Sequence, residues 1–83
     1  METRVAILGI IVENPDLVER LNSILHTYAE YIIGRMGIPY SARSVSVISV
    51  AVDAPKDVIS ALSGKVGKLP GITVKTAYSS VGA

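Results

Sequence analysis

Two β-branched apolar runs, Arg4–Val12 and residues 44–53, two segments of helical apolar spacing, and a strand-like segment after each of these give the order strand, helix, strand, strand, helix, strand. That order predicts an α+β fold, a ferredoxin-like βαββαβ sandwich in which a four-stranded antiparallel sheet carries two helices on one face. In this layout the first and third strands are central and the second and fourth are edges. The two continuous apolar runs fall at the central places, where a strand covered on both faces loses its polar alternation. At 83 residues the chain is read as one domain spanning 1–83, with a single modest core.

The first strand, residues 4–12, ends at Glu13 and Asn14. Asn14 suits a helix N-cap, Pro15 the first helical position, and Asp16 the positive end of the helix dipole. Leu17, Val18, Leu21, Ile24, Leu25 and Tyr28 then form one apolar stripe that should lie on the sheet. The only histidine, His26, falls on the opposite, solvated face with Asn22 and Glu30. His26 and Glu30 could supply two metal ligands, but no further His or Cys completes a site, so no metal centre is expected.

Residues 31–38 resume strand character, and 37–43 reads as a turn-rich connection into the third strand. Gly34 and Gly37 bracket Arg35 and Met36, and glycine inside a strand marks a bulge or a close approach by another backbone or a ligand. Arg35 is either a charge that guards an edge strand or a countercharge for a ligand. In the third strand Ile48, Val50 and Val52 share one face, and Val45, Val47, Ser49 and Ala51 share the other.

A second helix starts near Pro55 and buries Val58, Ile59, Leu62, Val66 and Leu69. Gly64 and Gly67 fall on its outer face, and residues 69–71 stop it. The run 63–68 looks like a phosphate loop but fails on spacing, and it ends a helix instead of opening one. Residues 72–78 alternate as a half-exposed strand, and 80–83 reads as a loose tail.

Composition narrows the function classes. Hydrophobic residues make up 49% of the chain and the mean hydropathy is +0.48, high for a small monomer, so a homodimer or homotetramer is expected. The longest apolar stretch, 5–12, is well short of the roughly 18 residues a membrane helix needs, and no small-residue cleavage site follows it. The chain is therefore read as cytoplasmic, with no membrane partner. Zero cysteines exclude disulfides and thiol chemistry, and a net charge of +1 with interspersed signs gives no footprint for nucleic acid. No nucleophile elbow or converging acid and base is present, so the chain is read as a non-enzyme without a cofactor.

The segments Leu25-His26-Thr27-Tyr28, 31–39 with its Ile-Gly-Arg-Met-Gly core, 57–67 with Ala-Leu-Ser-Gly-Lys, and 70–76 resemble the iron-only hydrogenase system regulators, which are short stand-alone proteins. The resemblance covers nearly the whole chain. It implies a fold similar to ACT-type amino-acid-sensing modules and to the regulatory domain of nickel-responsive repressors, which assemble through their sheets. The nickel repressors bind metal through several histidines and a cysteine, and one His with no Cys departs from that pattern. No DNA-binding element accompanies the module, so direct contact with nucleic acid is not expected.

Two functions are carried forward. In the first, a regulatory homo-oligomer senses a small anion or amino acid near Glu13 and Asn14, with Gly34, Arg35 and Gly37 contributing and Arg35 as countercharge. In the second, a ligand-free module docks on another protein. The sheet face away from the helices, lined by Val45, Val47 and Ala51 and flanked by Arg35 and Lys75, suits an oligomer interface, a pocket for a small anion or a docking surface, and two modules could assemble either by stacking these faces or by pairing sheet edges.

Overall fold

The structure, a computed structural model, describes residues 2–82, with side chains as far as Ser80. β1 (Arg4–Val12) leads through a 3-10 turn at Pro15–Leu17 into α1 (Val18–Thr27). A second such turn, Ala29–Tyr31, precedes β2 (Ile32–Tyr40), and a third, Ser41–Arg43, joins it to β3 (Val45–Ala54). α2 (Lys56–Gly67) and β4 (Ile72–Gly82) follow. The strands pair antiparallel in the order β2-β3-β1-β4, which is the ferredoxin-like βαββαβ arrangement.

Alternation explains the core. Along β1, Ala6, Leu8, Ile10 and Val12 are buried while the residues between them are exposed. On β3 the buried set is Ile48, Val50, Val52 and Ala54. Leu21 and Leu25 of α1 and Ile59, Leu62 and Val66 of α2 cover that side of the sheet. Each large aliphatic side chain taken fully from water there contributes about 1.5–3 kcal/mol.

The loops at one end of the sheet are tied together. Asn14 Oδ1 accepts the Asp16 N–H at 3.1 Å, and the Leu17 N–H donates to the Asn14 carbonyl at 3.1 Å, so the first turn winds as 3-10 before α1 begins. The Glu13 N–H donates to the Gly71 carbonyl at 2.7 Å. Gly71 has φ +76°, and a Cβ added there would stand 3.0 Å from Asn14 Cβ, so this position needs glycine twice over. At the end of α2, a Cβ on Gly67 would meet Val74 Cγ1 at 3.3 Å, a close approach to β4, whereas one on Gly64 would meet nothing within 4 Å.

Two boundaries differ from the sequence reading. The turn read over 37–43 is strand as far as Tyr40, with Gly37 opposite Ile48 and Pro39 opposite Ser46. Proline is tolerated because β2 is an edge, where a missing N–H need not break a ladder. The reversal is confined to Ser41–Arg43 and to Ser44, in the left-handed region at φ 52°. The tail read at 80–83 is also strand through Gly82, opposite Arg4 after an irregularity in pairing, and Ala83 lies outside the described residues.

Candidate functional site

The site is the sheet face that the helices leave bare, together with the edge strand β2 beside it. Register builds the face in cross-strand rows. Ile38, Val47, Ile11 and Thr73 form one row; Met36, Ser49, Gly9 and Lys75 the next; Gly34, Ala51, Ile7 and Ala77 the third. Among the residues whose side chains are described, seven of the nine large exposed hydrophobics, Val5, Ile7, Ile11, Met36, Ile38, Tyr40 and Val47, share this face by register and alternation. Neighbouring strands lie about 4.8 Å apart and residues advance about 3.3 Å, so the face measures roughly 19 by 30 Å.

Val45, Val47, Ala51 and Lys75 all stand on it, as the alternation implied. Gly9 sits at its centre. A Cβ there would meet only the Lys75 carbonyl, at an ordinary 3.8 Å, and its φ is not positive, so the chain's own fold does not require glycine at this position. Beside Gly34 the face is hollowed, with about 250 Å³ of space lined by Gly34, Arg35, Met36, Ser49 and Ala51. Met36, Ile38 and Tyr40 join the face: residues 37–40, read as a turn, continue the strand, and pairing with Ser49, Val47 and Val45 fixes the side on which these three lie.

Arg35 does not flank the apolar face as the sequence reading had it. It pairs with the buried Val50 and so points to the helix side, where Nη2 donates to Asn22 Oδ1 of α1 at 3.0 Å. The cause is a bulge. Ile32 lies opposite Val52 and Gly34 opposite Ala51, so one extra residue of β2 is inserted at Ile33 and every later side chain changes face. Gly37 then lies opposite Ile48, on the same side as Arg35.

Arg35, Asn22 and His26 line a groove of about 300 Å³ between α1 and β2, floored by Leu25, Ala29 and Ile32. The helix places Asn22 and His26 one turn apart on the flank beside Arg35. Glu13 and Asn14 lie elsewhere. Val12 is opposite Ser46 and Ser46 opposite Pro39, so the end of β1 sits four residues along from Arg35, roughly 13 Å, and two strands across. Gly34, Arg35 and Gly37 therefore stay together at the edge, while Glu13 and Asn14 belong to the loop tied to Gly71. A smaller hollow of about 170 Å³ near that end is lined by Val12, Pro15, Tyr40, Val45 and neighbouring serines.

Among the described residues no polar or charged side chain is buried. No three or more His, Cys, Asp or Glu residues among them lie close enough to hold a metal ion. No described helix is long and apolar enough to cross a membrane.

The solved structure of the uncharacterized protein TM1266 from Thermotoga maritima is similar to this one, with a TM-score of 0.87 at 34% identity, covering 92% of this chain and 96% of that one. An unknown protein from Galdieria sulphuraria shares the fold at a TM-score of 0.64 and 15% identity, over 95% of this chain and 46% of its own. No curated protein matches the chain at a significant level. Residues 4–76 match the model of the TM1266-like family, whose description reads "Iron-only hydrogenase system regulator, putative". With that match spanning most of β1 to β4 and the strand order agreeing, the chain belongs to the TM1266-like family of iron-only hydrogenase system regulators.

Proposed function

We propose that this chain is a small regulatory module of an iron-only hydrogenase system that works in the cytoplasm as a homo-oligomer, assembles through the bare sheet face, and senses a small ligand. The observation that carries the reading is that face: two largely apolar rows flank a row of Met36, Ser49, Gly9 and Lys75, whose central glycine the chain's own fold does not need. Glycine inside a strand weakens it, and its use where there is room for a side chain points to close approach by something else. The roughly 19 by 30 Å face, with side-chain relief added, is of the order of the 800 Å² that each partner contributes to a standard interface.

A second copy is the natural occupant. A twofold axis through the face would set each copy's Ile11, Val47 and Ile38 against the same surface on its partner. Lys75 stands at the rim of the face, where a charge stays wet. The ligand-sensing part rests on Arg35, which lines the groove between α1 and β2 and can serve there as a countercharge.

Native mass spectrometry of protein purified without chelator tests assembly and retained ligand together. The expected result is a dimer or tetramer that Val47→Asp converts to monomer, because Asp would be buried without a partner charge. A wild-type monomer, or an oligomer unchanged by Val47→Asp, would overturn assembly through this face. A monomer that instead captures one protein, with capture lost on Val47→Asp, would establish the docking-module reading in its place.

A further inference from the structure

We propose that the groove between α1 and β2 binds a small carboxylate that has a short apolar body and no ammonium group. The inference rests on the ligand-sensing part of the reading above and gives it a place and a chemistry.

The groove holds about 300 Å³, at the lower end of the roughly 300–1,000 Å³ usual for small-molecule sites. Its polar wall is made of Arg35, Asn22 and His26, and its apolar floor of Leu25, Ala29 and Ile32. The Arg35–Asn22 bond orients both groups at once. Arg35 spends one N–H on Asn22 Oδ1 and keeps the rest of its planar donor fork, which matches the two oxygens of a carboxylate. Asn22 has its oxygen engaged and therefore has its amide hydrogens to offer. The imidazole of His26 provides an N–H in either charge state. Three neighbouring side chains thus supply donors, and the side-chain oxygen of Asn22 already accepts from Arg35.

The same inventory selects against other ligands. An α-amino acid would bring an ammonium group, and none of the six lining residues is a carboxylate that could receive it. A bare phosphate would satisfy the donors but leave the floor of Leu25, Ala29 and Ile32 against water. A short branched acid satisfies both halves of the groove. Glu13 and Asn14, held in the Gly71 loop, take no part.

The test is a titration of isotopically labelled protein followed by amide and His26 ring resonances, with isovalerate as the probe and L-leucine and inorganic phosphate as competitors in chemistry. Isovalerate should shift Asn22, His26, Ile32 and Arg35 saturably. Arg35→Gln should weaken that binding by about tenfold, the scale of a lost charge-assisted hydrogen bond at a partly wet site, while Lys75→Gln leaves it unchanged. L-leucine and phosphate should bind more weakly than isovalerate. Absence of saturable shifts at these four residues, equal binding by L-leucine or phosphate, or indifference to Arg35→Gln would overturn the proposal. Subunit number, read on the same samples by native mass spectrometry, separates this failure from failure of the assembly reading: an intact oligomer without groove shifts rejects the groove alone.

Discussion

Replacing Gly9 with valine should stabilise the isolated chain and weaken its assembly, two effects of opposite sign from one side chain. Gly9 is a central residue of a central strand, between Ser49 and Lys75 on the bare face, and a Cβ there meets nothing closer than the Lys75 carbonyl at 3.8 Å. A glycine in a strand interior costs roughly 0.5–1 kcal/mol in backbone entropy, and the strand preference scale spans about 1 kcal/mol with valine at its favourable end. The chain alone should therefore gain about 1 kcal/mol, equivalent to about 4–8 °C in melting temperature for a domain of this size. In an assembly across this face the added methyl groups enter packed space, where overpacking costs about 1–3 kcal/mol, and twofold symmetry counts it twice. A total of at least about 2 kcal/mol raises the dissociation constant about thirtyfold or more.

Thermal unfolding below the dissociation concentration and sedimentation velocity across a concentration series read the two effects separately, as they must, because association itself raises an apparent melting temperature. A lowered melting temperature of the dilute variant would show that the fold does need Gly9. Unchanged self-association would remove the face from the interface. Either result refutes the reasoning.

Two further predictions concern the frame that holds the face and the groove. Gly71→Ala places an L side chain at φ +76° with its Cβ 3.0 Å from Asn14 Cβ, so the left-handed penalty and the crowding together should cost about 2–4 kcal/mol in chemical denaturation; a loss below about 0.5 kcal/mol would contradict the locked loop. Gly64→Ala, in the interior of α2 with nothing within 4 Å of the new Cβ, should raise stability by about 0.5–1 kcal/mol, whereas Gly67→Ala should gain less because Val74 Cγ1 stands at 3.3 Å. Equal gains at the two glycines, measured by the same denaturation, would mean that the end of α2 does not press on β4.

The agreement between sequence and structure is closest where one local rule acts alone. β1 runs from Arg4 to Val12 as its apolar run indicates, Asn14 caps the first turn, and the stripes of α1 and α2 bury the residues their spacing selects. β2 is where reading by local rules fails, because three influences meet there. Pro39 and the two glycines look like a turn, yet the edge position removes the penalty for a missing N–H and pairing with β3 extends the strand to Tyr40. Asn22 and His26 were legible as an exposed helix flank, but nothing local shows which strand passes beside that flank.

The order of elements, the central position of β1 and β3, and the choice of Val45, Val47 and Ala51 for the bare face were all determined by the sequence itself, since alternation and helical spacing are properties of adjacent residues. The face presented by Arg35 was decided only in three dimensions. Counting by twos from Ile32, which lies opposite the buried Val52, puts Arg35 on the bare side; one extra residue at Ile33 reverses that count. It sends Met36, Ile38 and Tyr40 outward onto the apolar face and turns Arg35 inward to Asn22. A strand has a side-chain period of two, so a single unpaired residue exchanges its faces, and whether the residue is left unpaired is settled by the partner strand.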